Sequence, residues 1–315
     1  MDTDVNNIRS NPVDRAKLSF KRVSAADRQA DLILRPPSTY LKDSLYNLSR
    51  NPLGMIGAAV IIFMIIFAVL GPMVLPYEFD RPDYDSTYQS SSTEHWMGTD
   101  ILGRDMTVRI AHGARASLLV GFTASLLSIT VGVFYGAISG YMGGKTDLLM
   151  MRVVEIFSSV PSIMYIILLA QIFPQGGLNI IVVVIGLTTW MSTARVVRGD
   201  ILSLKTREFV LAARVSNVSN FKIITRHMIP NCIGPIIVSL TFNVPGAIFT
   251  EATLRYLGVA SAVTPSWGSL VNDSLGTLHN YPYLLLFPAL FLSVTMLAFT
   301  LFSDALLKAL DPKKR

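Results

Sequence analysis

Five stretches of this chain contain no Asp, Glu, Lys or Arg, at 51–77, 116–144, 156–194, 227–250 and 274–303. Each is longer than the roughly 20 residues that carry a helix across a hydrocarbon core. Backbone N–H and C=O groups find no water in that core, so runs of this kind must satisfy their own hydrogen bonds as helices. The 156–194 stretch is too long for one crossing and is interrupted by Pro174, Gln175, Gly176 and Gly177, which predicts two helices joined by a tight turn. The expected fold class is an all-α membrane protein with six transmembrane helices. Composition agrees, with 51% hydrophobic and only 15% charged residues among 315 and a mean hydropathy of +0.48. The first apolar run follows some fifty polar residues and is long, as expected of a retained helix and not of a cleaved leader.

The basic residues set the orientation. Segments 1–50, 141–152, 192–232 and 304–315 hold 22 of the 27 Lys and Arg, whereas 76–115, 173–177 and 251–282 hold five, and 76–115 adds seven acids. Lys and Arg accumulate on the cytoplasmic side, so both termini and the 192–232 insert are expected there. The net charge of +6 and pI near 9.4 follow from this asymmetry, and no nucleic-acid surface is inferred from them. The chain then divides into a cytoplasmic segment 1–50, a first transmembrane helix 51–76, an extracytoplasmic loop 77–115, a core 116–303 with five transmembrane helices and the insert 192–232 within it, and a cytoplasmic tail 304–315. Segment 1–50 is mixed in charge and broken at Pro36-Pro37; it is expected to be partly disordered, with one short surface helix at Tyr40–Leu48.

Catalytic chemistry has little to stand on. The lone Cys232 excludes an internal disulfide, and His95, His112, His227 and His279 lie near predicted surfaces. There is no HExxH, paired-Cys or Gly-x-Ser-x-Gly pattern, so no enzyme and no metal site are expected. An ion-driven carrier needs ionisable groups at mid-membrane, and the spans hold almost none. The exceptions, Arg152 and Glu155, stand one turn apart at the cytoplasmic start of the third helix, where snorkelling and mutual pairing suffice. Gly132, Gly136 and Gly140 repeat at small-xxx-small spacing, a pattern of close helix packing. Pro161, Pro235, Pro245 and Pro288 can kink spans or serve as hinges.

The informative segment is the insert Ser192–Cys232, with seven Lys/Arg against Asp200 and Glu208. Its apolar residues keep helical spacing at Phe209, Val210 and Ala213 and again at Phe221, Ile224 and Met228. Thr206 is the expected N-cap of a helix running through Arg214, with Glu208 in its first turn. The SNVSN stretch at 216–220 supplies a bend, and a second helix, Phe221–Ile229, is expected to stop at Pro230. Ala212 and Ala213 keep the surface low, so a partner groove can close over the short helix with Phe209 or Val210 as apolar anchor and Arg207 and Arg214 facing acids at the rim. The competing physical reading is an amphipathic helix resting on membrane lipid headgroups.

REFVLAARVSNVSNFKIITRHMIPN at 207–231 resembles the cytoplasmic EAA loop of bacterial ABC importer permeases. Ala212, Ala213 and Pro230 fit it, while Leu211 stands in place of its Glu, Asn217 of its Gly, His227 of its Ile and Ile229 of its Leu. Asn217 can adopt the positive φ of the glycine it replaces, and Glu208, three residues before Leu211, offers a substitute acid. NPLGMIG at 51–57, HWMGTDILGRD at 95–105, GARASLLVG at 113–121, SVPSIMY at 159–165 and PSWG at 265–268 are similar to the oligopeptide/dipeptide/nickel branch, most like its second oligopeptide permease subunit.

The resemblance implies a type I ABC importer permease in the bacterial cytoplasmic membrane. It implies a second homologous permease subunit, two cytoplasmic ATPase subunits and an extracytoplasmic peptide-binding protein. ATP and Mg would act on the partners, since this chain has no GxxxxGK[ST] loop and is expected to carry no cofactor. Arg207, Glu208, Phe209, Val210, Leu211, Ala212, Ala213, Arg214 and Asn217 are the implied ATPase-coupling residues. The loops 76–115, with Trp96, and 253–282, with Trp267, are either docking surfaces for the binding protein or caps on the extracytoplasmic mouth. Oligopeptides are the expected cargo; dipeptides or nickel on the same architecture, or a receptor or scaffold without transport, are the alternatives.

Overall fold

The computed structural model describes residues 40–172, 177–258 and 264–310. The chain divides into a unit ending at Lys42 and one beginning at Asp43, and the second is described below. The expectations for 1–39, for the turn at 174–176 and for the tail from 311 lie outside the described residues. The helices are α1 (Tyr40–Ser49), α2 (Pro52–Val74), α3 (Met106–Met142), α4 (Gly144–Ser158), α5 (Ser162–Ile172), α6 (Gly177–Leu204), α7 (Glu208–Val215), α8 (Ile233–Tyr256), α9 (Trp267–Ser274) and α10 (Tyr283–Leu310). Among the described residues there is no strand, only an isolated bridge between Thr99 and Asp105.

Five helical segments are long and apolar enough to cross a membrane, and α4 with α5 makes a sixth if the pair is one span. That pair is bent by 73°. The bend sits at Pro161, which lacks an N–H and forces residue 160 away from helical dihedrals. The third span expected from the charge-free stretch therefore begins earlier, at Gly144, and is broken. Arg152 and Glu155 do pair, at 2.7 Å, on its exposed face.

The charge-free stretches also understate two helices. α3 starts ten residues early, at an N-cap where Asp105 Oδ1 accepts from Val108 N at 2.9 Å. α8 runs on to Tyr256 and so takes Glu251 and Arg255 into the bundle. Both additions are possible because their buried charges, Arg109, Glu251 and Arg255, are paired inside the protein, as described below.

α3 is the central post, packed on α6 along most of its length. Gly132, Gly136 and Gly140 face α6, where Cβ atoms would come within 2.6 Å of Thr193 Cβ, 2.3 Å of Ala194 O and 2.9 Å of Arg198 O. α2 packs on α10 in the same way through Gly54 and Gly57. Two large cores result. One, at the end of the bundle carrying the acidic 75–105 loop, gathers Met106, Ile110, Ile248, Trp267 and Leu270 from α3, α8 and α9. The other, at the basic end, gathers Tyr141, Ile201, Val210, Ile223 and Met228.

Candidate functional site

The basic insert folds as part of the second core. The N-cap of α7 is not Thr206 but Arg207, whose carbonyl accepts from Val210 N at 3.0 Å and Leu211 N at 3.2 Å. The cap has no side-chain hydrogen bond, and the Thr206 hydroxyl turns back toward Ser203 O. Glu208 lies in the first turn, at the positive end of the helix.

The C-terminus is a Schellman turn: Val218 N donates to Ala213 O at 3.1 Å and Asn217 N to Arg214 O at 3.0 Å, with Asn217 at φ 56°. Val218 packs into the basic-end core that includes Ala213, the apolar contact that accompanies such turns. Asn217→Gly is expected to hold the loop in place, whereas Asn217→Val should weaken it by about 1–2 kcal/mol. Limited proteolysis of the 204–220 region in the purified protein reads the difference.

The second helix also differs from expectation. It starts at Asn220, passes through a π turn at Ile223–Met228 and a 3-10 turn at Ile229–Cys232, and continues into α8 without stopping at Pro230. Proline cannot donate to a carbonyl one turn back and its ring crowds that turn, so the helix widens to absorb it. The side-chain amide of Asn231 supplies a donor to His227 O at 2.5 Å.

Burial sorts the candidate residues. Val210 is fully buried and Ala213 nearly so, both against Ile223, Met228 and α6; neither is available as an anchor in a partner groove. Arg207, Glu208, Ala212, Arg214 and Asn217 are exposed. The apolar side chains that do face outward are Phe209, Leu211 (47% exposed), Val215 (88%) and, beyond the turn, Phe221 (72%). Leu211 and Val215 are one helical turn apart and form a ridge. Sequence reasoning passed over Val215, because one β-branched residue at a helix end carries no periodic signal.

Two contacts fix this ridge to the spans. The Arg214 guanidinium lies 4.9 Å from the centre of the Tyr141 ring, and the Tyr141 hydroxyl donates to Asn220 Oδ1 at 2.9 Å. Tyr141 is at the end of α3. Nearby, Arg198 of α6 holds Asp147 of α4 with both Nε and Nη2, at 2.5 and 2.6 Å, and Ser139 of α3 donates to the same carboxylate. α3, α4 and α6 are thus clamped together at the basic end.

The acidic end is built differently. Asp105 caps α3 and also binds His95 Nδ1 at 2.8 Å. Asp100 accepts from the Leu102 and Arg104 amides and pairs with Arg104 and Arg109, and Arg109 reaches Asp273 of α9 at 3.2 Å. Trp267 is wholly buried and donates from Nε1 to Ile110 O at 3.2 Å, so it is core and not docking surface, whereas Trp96 is 66% exposed. The sequence reading missed the pair of Glu251 and Arg255, 3.0 Å apart and buried, with Ser117 Oγ donating to Glu251 at 3.0 Å. Its signal was an i,i+4 acid and base closing an otherwise apolar helical run. Among the described residues no group of His, Cys, Asp and Glu is arranged to hold a metal.

Comparisons with known proteins point one way. Residues 132–315 match the family described as binding-protein-dependent transport system inner membrane component, and 39–91 match the N-terminal TM domain of oligopeptide transport permease C. The chain is 39% identical to the oligopeptide transport system permease protein OppC of Bacillus subtilis, over 95% of this chain and 98% of that one. It is 41% identical to the dipeptide transport system permease protein DppC of the same organism, over 92% and 91%. To OppC of Escherichia coli K12 it is 40% identical, over 87% and 91%. In fold it resembles a chain of the MetNI methionine ABC transporter in an inward-facing conformation, with a TM-score of 0.53, 16% identity, and coverage of 63% of this chain and 94% of that one.

Proposed function

The chain belongs to the family of binding-protein-dependent transport system inner membrane components and is a multi-pass protein of the bacterial membrane, and on that footing we propose that it is the permease half of an ATP-driven peptide importer. The reading pairs it with a second, homologous permease, two cytoplasmic ATPase subunits and an extracytoplasmic peptide-binding protein. In this reading ATP and Mg act on the ATPases and not on this chain. The basic end and both termini face the cytoplasm, in keeping with the distribution of Lys and Arg. The names of the relatives favour oligopeptides or dipeptides as cargo.

One observation carries the coupling role: an apolar ridge, Leu211 and Val215, stands exposed on a short helix whose other face is built into the core of α3, α6 and the π turn. Such a helix suits a groove on a soluble partner, and its rigid seat lets a movement of that partner reach the spans. Closure of the ATPases on ATP would push α7 against the ends of α3 and α6, and the Asp147–Arg198 clamp would carry the push to α4. The bundle then switches between inward-facing and outward-facing arrangements, a two-state change biased by a ligand bound elsewhere. Trp96 and the exposed acids of the 75–105 loop remain the candidate contact for the binding protein.

The test belongs on the ridge and not at Ala213, where a bulky residue would disturb the chain's own core. Leu211→Asp with Val215→Asp is expected to release the ATPases from the solubilised complex and to cut peptide uptake about tenfold or more, with membrane insertion and pairing to the second permease unchanged. ATPases still bound, with uptake intact, would assign the ridge to lipid headgroups.

A further inference from the structure

Leu211 stands where the loop this chain resembles carries a glutamate, so position 211 offers a partner no charge. Beside the last turn of α7 is a cavity of about 480 Å³ whose polar lining is Lys205, Arg214, Asn217, Asn220 and Tyr141. Among the described residues no carboxylate lines it. The Tyr141 hydroxyl occupies Asn220 Oδ1, which leaves the Asn220 amide N–H groups to donate. Arg214 lies over the Tyr141 ring, a contact that holds the guanidinium in place, and its N–H groups are unused by any ion pair among the described residues. Lys205 also stands without an ion pair among the described residues. Its ammonium lies over Gly143, where a Cβ would come within 2.8 Å of Nζ, so the missing side chain makes room for the charge. The acid near it, Asp147, is already held by Arg198 and Ser139.

Donors therefore outnumber acceptors around this space, and two of them are cations. The insert as a whole repeats the bias, with Arg207, Lys222 and Arg226 exposed and Glu208 the acid on α7. Arg214 is next to Val215, so the cavity adjoins the apolar ridge.

We propose that the Lys205–Arg214 cavity receives a carboxylate side chain of the ATPase subunit, so that the polar coupling contact has reversed sign, with the base on the permease and the acid on the ATPase. This rests on the reading of α7 as the ATPase contact. It explains how an apolar residue at 211 is tolerated. Leu211 adds to the ridge while the charge pairing moves one turn on, to Arg214, and Glu208 need not replace the missing acid.

The experiment uses the whole complex in phosphatidylcholine nanodiscs, with peptide-stimulated ATP hydrolysis and ATPase retention as readouts. Lys205→Glu with Arg214→Glu is expected to lower stimulated hydrolysis about tenfold or more. Changing one surface Asp or Glu of the ATPase to Arg, found by scanning, should restore most of it, and Arg214→Lys should lose far less than the reversal. Unchanged hydrolysis in the doubly reversed protein, or no rescue by any acid-to-base change, overturns the proposal. So does a defect that appears only when phosphatidylglycerol is added, which would assign the cavity to a lipid phosphate. Leu211→Asp with Val215→Asp runs in parallel. Release of the ATPases by that variant alone keeps α7 as the contact and removes the cavity from it, and no effect from either variant removes both.

Discussion

Replacing Gly136 by leucine is expected to separate α3 from α6 and to leave little folded chain in the membrane. A Cβ at 136 would lie 2.3 Å from Ala194 O, a backbone atom of a helix that cannot swing aside. Gly132 and Gly140 make the same close approach one turn to either side, so the strain cannot be relieved by sliding. Helices in lipid are not pressed together by water, and their association rests on contact of this kind. Overpacking of a tight contact costs about 1–3 kcal/mol, and more for a side chain as large as leucine against backbone. The basic core and α7 sit on the same two helices, so the surface proposed for coupling should be lost with the packing. Gly199→Ala, on an exposed stretch of α6 with no atom within 4 Å of its Cβ, is the matched control; it should be neutral or stabilising by about 0.5–1 kcal/mol. Thermal unfolding of the detergent-purified protein measures both, and equal midpoints for the two variants would show that the glycine stripe is not a packing seam.

Arg255→Met is the second large effect, expected to cost about 3–5 kcal/mol, because it strands the buried Glu251 carboxylate without its cation. Arg255 also donates to Thr264 O at 3.3 Å, which ties the segment leading into α9 to α8. α9 depends on that seat: Gly268 lies so close that a Cβ there would be 2.4 Å from Ala252 Cα. Removing both charges, with Glu251→Gln and Arg255→Met, should recover most of the loss, since a buried pair replaced as a pair is often close to neutral. The four members of this cycle, compared by unfolding, give the coupling energy directly. A double variant as unstable as the sum of the single ones would mean that the two side chains act independently.

The extent to which the chain could be read in advance follows the range of the interactions concerned. Charge-free runs report on the bilayer, a solvent that acts on every residue of a span, so the number and rough position of the helices were legible. Asn217 was legible for a local reason: few residues other than glycine tolerate a φ of 56°. Thr206 misled because capping preference is worth only about 1 kcal/mol, and the seating of Val210 and Ala213 in the core settles where α7 begins. Pro230 misled because a proline ends a helix only if the widened turn has no compensation, and here α8 continues beyond it.

The amino-acid sequence by itself determined the solvent, the helical class, the uneven distribution of charge and the basic helical insert at 192–232, because each of these is a sum over local composition or a short motif. Tertiary structure alone decided which face of that segment is turned outward. Val210 and Leu211 are adjacent and similar in character, and nothing in their own chemistry says that one is buried and the other half-exposed. The choice is made by Tyr141, Ile223 and Met228, brought from α3 and the π turn. Glu251 and Arg109 follow the same logic, since beyond their near neighbours Arg255 and Asp100 each takes a polar partner from a distant element, Ser117 of α3 and Asp273 of α9.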